Sequence, residues 1–344
     1  MTKFVYSQKS TKFKVVTSSI INIFEPDKSN FLLEEIDLMS FCSDYKIHAQ
    51  NSGSPEMIAQ IIGKCAAMSL LEEVNTSPKP GLVDRLTNGA HKDMNLLTFY
   101  CSAQALEPFF IRMAEQGIKE YKDLEQCFRN IREIGIEAEA SMYAATGGVN
   151  THKGLIFSLG ILCASVGSCY ASGKIISVDQ IMLQEQQMVR RILMEELDRL
   201  NKKTECFARE SHGENLYKKM GVTGVRGEAI DGYRTVREIG LPVMIEGMKQ
   251  KKDFNQIKLQ TLMTFMNKTE DTNVLSRTNM QTLLETQKIA EEYLQEGGVY
   301  AVNGISRLIE LDKYFTEKNI SHGGCADLLA ISIFLVSMIQ IAQS

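Results

Sequence analysis

Residues 155–173 place the strongest constraint on the fold, because they are small or apolar on every helical face. This pattern predicts a helix that is buried all round, and other helices must then surround it. Residues 328–342 form a second, more apolar segment. The first carries several serines and glycines, and the second is too short to cross a bilayer. We therefore expect two core helices of a soluble α-helical protein.

A polar loop bordered by glycines leads into the first of these helices. Its residues can all contact a ligand: Asn150, Thr151, His152 and Lys153. Free backbone N–H groups and the helix dipole favour an anion at such a helix start, and Lys153 adds a full charge. The spacing is not that of a Walker A loop. The pattern predicts a phosphate site, and a simple helix cap inside an ordinary core is the alternative.

Composition restricts the class of protein and its partners. The 344 residues can form one large domain or two, and 44% are hydrophobic and 23% charged. A net charge of −4 gives no reason to expect nucleic acid or an anionic membrane as a partner. The eight cysteines form no CxxC pair or zinc spacing, and the N-terminus lacks a signal-peptide pattern. These features predict a cytoplasmic protein with reduced thiols.

The chain changes character near residue 54. Residues 1–51 contain β-branched and aromatic runs around a turn signal, which allow a short strand pair but show no catalytic constellation. Ser54 and Pro55 then form a helix start, followed by apolar residues at helical spacing. We expect a mainly α fold, a multi-helix bundle-like single catalytic domain at 54–344. Residues 1–53 would be an appendage that can form a short pair of β-strands.

Acidic and basic residues concentrate in the connectors between these helices. Glu72 and Glu73 close the first helix, where acids oppose the helix dipole and gain nothing structurally. Four connectors follow, at residues 76–94, 211–234, 270–279 and 319–327. Each could be a solvated surface loop, but together they indicate loops that converge on one pocket.

Five motifs occur in order: TSPKPGLVDRLTNGAHKDM, TGGVNTHKGLIFSLGILCA, HGENLYKKMGVTGVRGEA, DTNVLSR and GGCADLL. Together they resemble the triphosphoribosyl-dephospho-CoA synthase family, over residues 56–344. The chain departs from the family pattern at His322, where Pro is usual, and after Arg277, where Thr278 and Asn279 replace a Gly-rich end. Both changes can reshape loops at the pocket.

The resemblance implies a defined reaction. ATP gives its triphosphoribosyl group to the 2′-hydroxyl of 3′-dephospho-CoA, and adenine is released. The product is the prosthetic-group precursor for the acyl carrier protein of citrate lyase or malonate decarboxylase, passed on by a holo-acyl-carrier-protein transferase. The family's α-linked product, made from β-configured ATP, implies inversion without a glycosyl-enzyme. Mg²⁺ is expected with the triphosphate.

The resemblance and the residue types together predict the site. Carboxylates would stabilise an oxocarbenium-like ribose, and acids or histidines would move the protons. The predicted catalytic residues are Asp84, Asp93, Asp271, His152 and Glu72, and the first three of these are also the predicted metal ligands. The predicted binding residues are Lys79, Arg85, His91, Asn150, Thr151, Lys153, His212, Arg226, Glu228, Asn273, Arg277 and Asp327.

Two other classes of function fit the same connectors. One is an ATP-utilising nucleosidase or a kinase-like enzyme. The other is a catalytically idle nucleotide-binding protein.

Overall fold

The computed structural model describes residues 53–202 and 224–343. Within these two ranges every regular element is a helix, which confirms the predicted mainly α fold. The predicted appendage at 1–53, apart from Gly53, lies outside the described residues.

The first half of the described chain contains five long helices. They are α1 (Pro55–Asn75), α2 (Leu96–Lys119), α3 (Leu124–Ala145), α4 (Lys153–Ala171) and α5 (Val178–Lys202). Helix α1 begins as predicted, because the Ser54 hydroxyl accepts the Met57 N–H at 3.3 Å and Pro55 takes the first helical position. The sequence of α3 also predicts an apolar stripe, and all of its members except the half-buried Leu124 are buried: Phe128, Ile131, Ile134, Ala138 and Met142.

The second half contains shorter helices around one apolar C-terminal helix. They are α6 (Gly224–Ile230), a π-helical turn (Val236–Gly240), α7 (Leu241–Lys249), α8 (Phe254–Lys268), α9 (Thr272–Arg277), α10 (Met280–Gln295), a 3₁₀ turn (Gly298–Tyr300), α11 (Gly304–Glu317) and α12 (Gly323–Gln343). Two predicted polar connectors therefore contain short helices, α6 and α9. Helix α9 forms because Asp271 caps it.

Helix α4 lies at the centre of the first half, as its sequence predicts. It packs against α1, α2, α3 and α5. Glycines allow backbones to approach closely here: a Cβ on Gly117 of α2 would lie 1.9 Å from the Ala164 carbonyl oxygen of α4. Such close packing accounts for the small residues of α4.

Two helices, α4 and α12, are long and apolar enough to cross a membrane by length and composition. Their apolar windows have mean hydropathies of 1.7 and 2.1, and 78% and 72% of these windows are buried within the protein. Both pack against α1, and α12 also contacts α4, α8 and α9. The burial of both helices within the protein accounts for their apolar character, as expected of core helices.

Candidate active site

The loop between α1 and α2 is held rigid by a buried carboxylate. Asp84 is 3% exposed, and its Oδ2 accepts the Lys79 backbone N–H at 2.7 Å. Its Oδ1 accepts the N–H groups of Leu86 and Thr87 at 2.7 and 2.9 Å. Three N–H donors satisfy this acid locally. Asp84 therefore fixes the shape of the loop, whatever else it does.

A second acid ties the same loop to α11. Asp312 accepts the Gly81 N–H at 2.9 Å and the Thr87 hydroxyl at 3.0 Å. Gly81 has φ +71°, and a Cβ there would lie 2.3 Å from the Ile320 carbonyl oxygen. Only glycine fits this position. These contacts fix the loop at Gly81 and at Thr87, and the Lys79 side chain is buried within the protein.

Two buried ion pairs lie at the end of α1. Lys79 is 1% exposed, and its Nζ contacts the Glu73 carboxylate and, at 2.9 Å, the Glu73 carbonyl oxygen. Lys258 of α8 pairs in the same way with Glu72. These pairs explain how two acids are accommodated in the last turn of a helix, where the dipole disfavours them.

Three carboxylates interact electrostatically near the Lys79 ammonium group: Glu73, Asp271 and Asp327. We call them the carboxylate cluster. The pKa of Asp327 is raised well above its usual value, by burial first and then by Glu73 and Asp271. Burial also raises the pKa of Glu73, against the influence of Lys79. A buried acid whose pKa is raised by two neighbouring acids marks a site for a cation or a proton.

Asp327 lies at the N-terminus of α4. A Cβ on Gly154 would lie 2.6 Å from Asp327 Oδ2, so glycine is needed for the carboxylate to approach. No hydrogen bond to this carboxylate forms among the described residues. The structure begins α12 at Gly323, so Asp327 lies one turn inside that helix rather than in its first turn. A capping role therefore does not explain it.

Asp271 joins the start of α9 to the start of α12. Its Oδ1 accepts the N–H groups of Asn273 and Val274 at 2.8 and 3.3 Å. Its Oδ2 accepts the Cys325 N–H at 2.8 Å. A Cβ on Gly324 would lie 3.0 Å from this oxygen. The paired glycines therefore let the start of α12 approach Asp271 closely.

His152 is buried and neutral. Ser102 Oγ accepts the Thr151 hydroxyl at 2.7 Å and lies 2.7 Å from His152 Nδ1. The other ring nitrogen, Nε2, is buried without a partner among the described residues. Burial, and next the charge of Lys79, lower the pKa of His152 to about 3. This residue can offer a hydrogen bond, but it does not carry a charge near neutral pH.

His91 and Arg277 link the α1–α2 loop to α9. Arg277 donates to His91 Nδ1 at 3.1 Å and to the Ala90 carbonyl oxygen at 3.2 Å. His91 Nε2 therefore carries the proton and donates to Ser321 Oγ at 2.9 Å. Burial, and then Arg277, lower the pKa of His91 to about 4.

The lowered pKa of His91 predicts a pH-dependent stability. The unfolded chain binds a proton below about pH 6.5, whereas folded His91 does so only near pH 4. Its contribution to stability is therefore complete above pH 6.5 and is lost as the pH falls toward 4. Changing His91 to Gln should make the urea midpoint fall less between pH 7 and pH 5. An unchanged pH dependence in that variant would contradict this assignment.

Several predicted residues lie at the surface. Asp93 is 64% exposed in its side chain, and its Oδ1 lies 4.0 Å from His91 Nδ1. Asn150 is exposed and caps the Lys153 N–H at 3.2 Å. Lys153 is also exposed, and its Nζ bonds the Glu139 carboxylate at 2.5 Å. Asn150 and Lys153 therefore bond each other and Glu139 of α3, and no bond from either to the carboxylate cluster is seen among the described residues.

The remaining predicted residues are dispersed. Arg85 is exposed and Arg226 is half-buried. Glu228 accepts the Thr235 hydroxyl, and burial raises its pKa. Asn273 lies beside Gly323, with its Nδ2 2.9 Å from where a Cβ would be. His212 lies outside the described residues.

Asp271 and the predicted binding residue Asp327 thus meet in the cluster, and Asp84 and Lys79 lie beside it. Glu73 is not among the predicted residues. The sequence nevertheless contains an indication of its importance. Two adjacent acids end a helix where the dipole disfavours them, so either a buried cation or a functional requirement must account for their position. The cluster can bind a divalent cation through oxygen, stabilise a cationic sugar or move a proton.

Comparison with known proteins identifies the family. The family model described as CitG: ATP:dephospho-CoA triphosphoribosyl transferase matches residues 59–344. A protein of Photobacterium profundum, named "Probable 2-(5''-triphosphoribosyl)-3'-dephosphocoenzyme-A synthase", is 37% identical over 312 residues, 89% of this chain and 97% of its own length.

Two further relatives are similar to most of this chain. A protein of the same name from Citrobacter koseri is 36% identical over 288 residues, 83% of this chain and 93% of its own length. "Protein CitXG" of Leuconostoc mesenteroides subsp. cremoris is 36% identical over 290 residues, 83% of this chain and 60% of that protein. No solved structure matches the fold. The chain belongs to the ATP:dephospho-CoA triphosphoribosyl transferase family.

Proposed function

We propose that this chain joins the triphosphoribosyl group of ATP to the 2′-hydroxyl of 3′-dephospho-CoA and releases adenine. The observation that supports this proposal most is the carboxylate cluster of Glu73, Asp271 and Asp327 beside Lys79. Its residues come from three of the segments that carry the family resemblance or border them. The family match extends over nearly the whole described helical region.

The reaction forms one bond and breaks one. The acceptor 2′-oxygen attacks C1′ of the ATP ribose, the bond from C1′ to the adenine nitrogen breaks, and the phosphoanhydride bonds stay intact. The acceptor hydroxyl loses a proton and the leaving adenine gains one. The pKa of Asp327 is raised well above its usual value, so this acid is the candidate to carry and exchange the proton, while Glu73 stays paired with Lys79. Ionised carboxylates nearby stabilise positive charge at C1′.

A magnesium ion fits this cluster. Three carboxylates, one of which has its pKa raised by the other two and lacks a hydrogen-bond partner among the described residues, suit a hard cation with oxygen ligands. Asp327 and Asp271 would hold the ion, with Glu73 beside them, and it would neutralise charge on the triphosphate. Asp84 and Asp93 remain predicted ligands. Asp93 is favoured less because it is exposed. Asp84 and Asp271 each accept three N–H groups, and Asp271 is favoured because it interacts electrostatically with Asp327.

The product's chemistry indicates the pathway. A triphosphoribosyl-dephospho-CoA is the precursor of the prosthetic group of citrate lyase or malonate decarboxylase, and a holo-acyl-carrier-protein transferase would consume it. We propose a cytoplasmic location for this step, where ATP and dephospho-CoA are available.

One incubation distinguishes this function from its alternatives. The protein is mixed with ATP, Mg²⁺ and dephospho-CoA, and the products are identified by mass spectrometry. Free adenine together with a triphosphoribosylated acceptor is the expected result. Adenine that forms without the acceptor would indicate a nucleosidase, ADP would indicate a kinase-like enzyme, and no turnover would indicate an idle nucleotide-binding protein.

Lys153 tests the predicted phosphate site at the start of α4. Changing Lys153 to Met should weaken ATP binding about tenfold, since a charge-assisted contact contributes about 1.5–3 kcal/mol. The Glu139→Gln variant is the matched control, because it breaks the same surface ion pair but keeps the cation. Calorimetry at low salt measures both affinities. Equal affinities in the two variants would assign Lys153 to the ion pair alone.

The family match begins at residue 59, which supports a catalytic domain at 54–344. Deleting residues 1–53 should therefore leave the transfer rate within about twofold of the full chain, because none of the proposed site residues lies in this segment. The product assay above measures the rate, and circular dichroism checks the helical fold. A folded but inactive truncated protein would contradict an accessory role for this segment.

A further inference from the structure

Three buried side chains at the start of α12 bring together sulfur, nitrogen and oxygen. Cys325 Sγ lies 3.9 Å from His322 Nδ1, and this nitrogen lies 4.0 Å from Asp271 Oδ2. All three ligand atoms lie within 4.8 Å of one another. Among the described residues, no other set of three such side chains converges in this way. The chemistry of this group differs from that of the carboxylate cluster, although Asp271 belongs to both.

The hydrogen-bond pattern leaves His322 without a close partner. The Thr269 hydroxyl donates to the Phe265 carbonyl oxygen at 2.8 Å, so the Cys325 thiol, 3.2 Å from Thr269 Oγ1, must be the donor in that contact. The distances from His322 Nδ1 to the thiol and the carboxylate are too long for good hydrogen bonds. Its Nε2 is also buried without a partner among the described residues. A fully buried imidazole whose Nδ1 faces two other ligand atoms at this distance points to a site for a ligand.

Asp271 has room for that ligand. Its Oδ2 accepts one N–H group, from Cys325, and a carboxylate oxygen has a second lone pair. Metal–ligand bonds of about 2.0–2.3 Å in a tetrahedral site place the ligand atoms about 3.3–3.8 Å apart. The two separations from His322 Nδ1, 3.9 and 4.0 Å, need to shorten by only a few tenths of an ångström, and the third pair, Cys325 Sγ and the Asp271 carboxylate, lies within 4.8 Å.

We propose that Asp271, His322 and Cys325 bind one borderline-soft divalent metal ion such as Zn²⁺. Thiolate and imidazole ligands select ions of this kind over Mg²⁺, which prefers oxygen alone. Thr269 Oγ1 or a water molecule completes the fourth position. Binding converts the neutral thiol of Cys325 to a thiolate and releases one proton to solvent, with no change of oxidation state. The proposal does not depend on the transfer reaction.

Cobalt absorption tests the site without reference to activity. Untagged, metal-free protein is titrated with Co²⁺ in the absence of other thiols. We expect one ion per chain, with a sulfur-to-cobalt charge-transfer band in the near ultraviolet and tetrahedral bands in the visible, both lost on adding Zn²⁺. No charge-transfer band at saturating Co²⁺ would overturn the proposal.

Two variants and one control locate the metal. Changing Cys325 to Ser should remove the charge-transfer band. Changing Cys163 to Ser should leave it intact, because Cys163 is an equally buried helical cysteine outside the group. Should the Cys325 variant fail to fold, His322→Gln keeps the thiolate and should weaken Co²⁺ binding at least about tenfold. A band that persists without Cys325, or an affinity unchanged without the His322 imidazole, would place the metal elsewhere and refute the assignment.

Discussion

Replacing Asp327 with Asn should lower the turnover of the transfer reaction by at least about a hundredfold. Asp327 belongs to the carboxylate cluster and lacks a hydrogen-bond partner among the described residues. Loss of one preorganised electrostatic group at a reacting centre commonly costs about 10²–10³ in rate. The product assay with ATP and dephospho-CoA measures the change. A variant with near-normal turnover would remove Asp327 from the site.

The same variant should become more stable at neutral pH. The folded state raises the pKa of Asp327, through burial and then through Glu73 and Asp271. Ionisation therefore favours the unfolded chain as the pH rises above about 3.9, the usual value for an aspartate. Asn removes this penalty, so the melting temperature should increase more at pH 7 than at pH 4.

Asp179 provides the control for both readouts. It lies in the first turn of α5, where an acid interacts favourably with the helix dipole, and it is exposed. Asp179→Asn should keep full turnover and lose a few tenths of a kcal/mol of stability. The opposite signs of the two stability changes separate a functional acid from a structural one. A loss of stability in the Asp327 variant would indicate a structural role instead.

Local patterns are sufficient to predict most of the helices. The apolar stripe of α3 and the Ser54–Pro55 start of α1 depend only on neighbouring residues, and both are confirmed. The sequence predicts only a connector where α9 forms, because the six residues of this helix are mostly polar. Its start depends on Asp271, a residue whose capping role is visible in the sequence only when the helix is already assumed.

The membership of the site could be predicted only in part. Asp271 and Asp327 carry the right chemistry in the right connectors, but no local pattern shows that they meet Glu73 of α1. Lys258 is a further example, since nothing in α8 distinguishes a buried lysine that pairs with Glu72 from an exposed one. Which charges meet depends on how α1, α8 and α12 pack, and that is a property of the whole fold.

At the start of α4, the sequence predicts the kind of site but not the group that occupies it. Its dipole and Lys153 together predict an anion site. In the structure, Asp327 approaches Gly154 at this helix end, while the Lys153 side chain bonds Glu139 at the surface. A negative group does lie at the N-terminus of α4, but it belongs to the protein. A phosphate would approach this end together with a cation that offsets Asp327.

Changing Lys79 to Met should cost about 3–5 kcal/mol of stability. Lys79 is 1% exposed, and its ammonium group pairs with a carboxylate, Glu73, that is 4% exposed. Removing one partner of a buried pair leaves the other charge uncompensated, which costs far more than losing a surface pair. The urea-unfolding free energy of the variant at pH 7 measures this loss.

The exposed pair of Lys153 and Glu139 is the matched comparison. Its side chains are 47% and 30% exposed, so Lys153→Met should cost less than about 1 kcal/mol. Equal losses in the two lysine variants would show that the Lys79 pair is no more important to the fold than a surface contact.

A double variant separates the charge effect from the loss of packing. With both Lys79→Met and Glu73→Gln, no unpaired charge remains buried, so stability should recover by at least about 1 kcal/mol relative to Lys79→Met alone. Transfer should be lost in this double variant, because the cluster then lacks one of its carboxylates. Recovery of stability without recovery of turnover would separate the structural role of this pair from the catalytic role of Glu73. No recovery of stability would show that Lys79 acts mainly through its hydrogen bond to the Glu73 carbonyl oxygen and its packing.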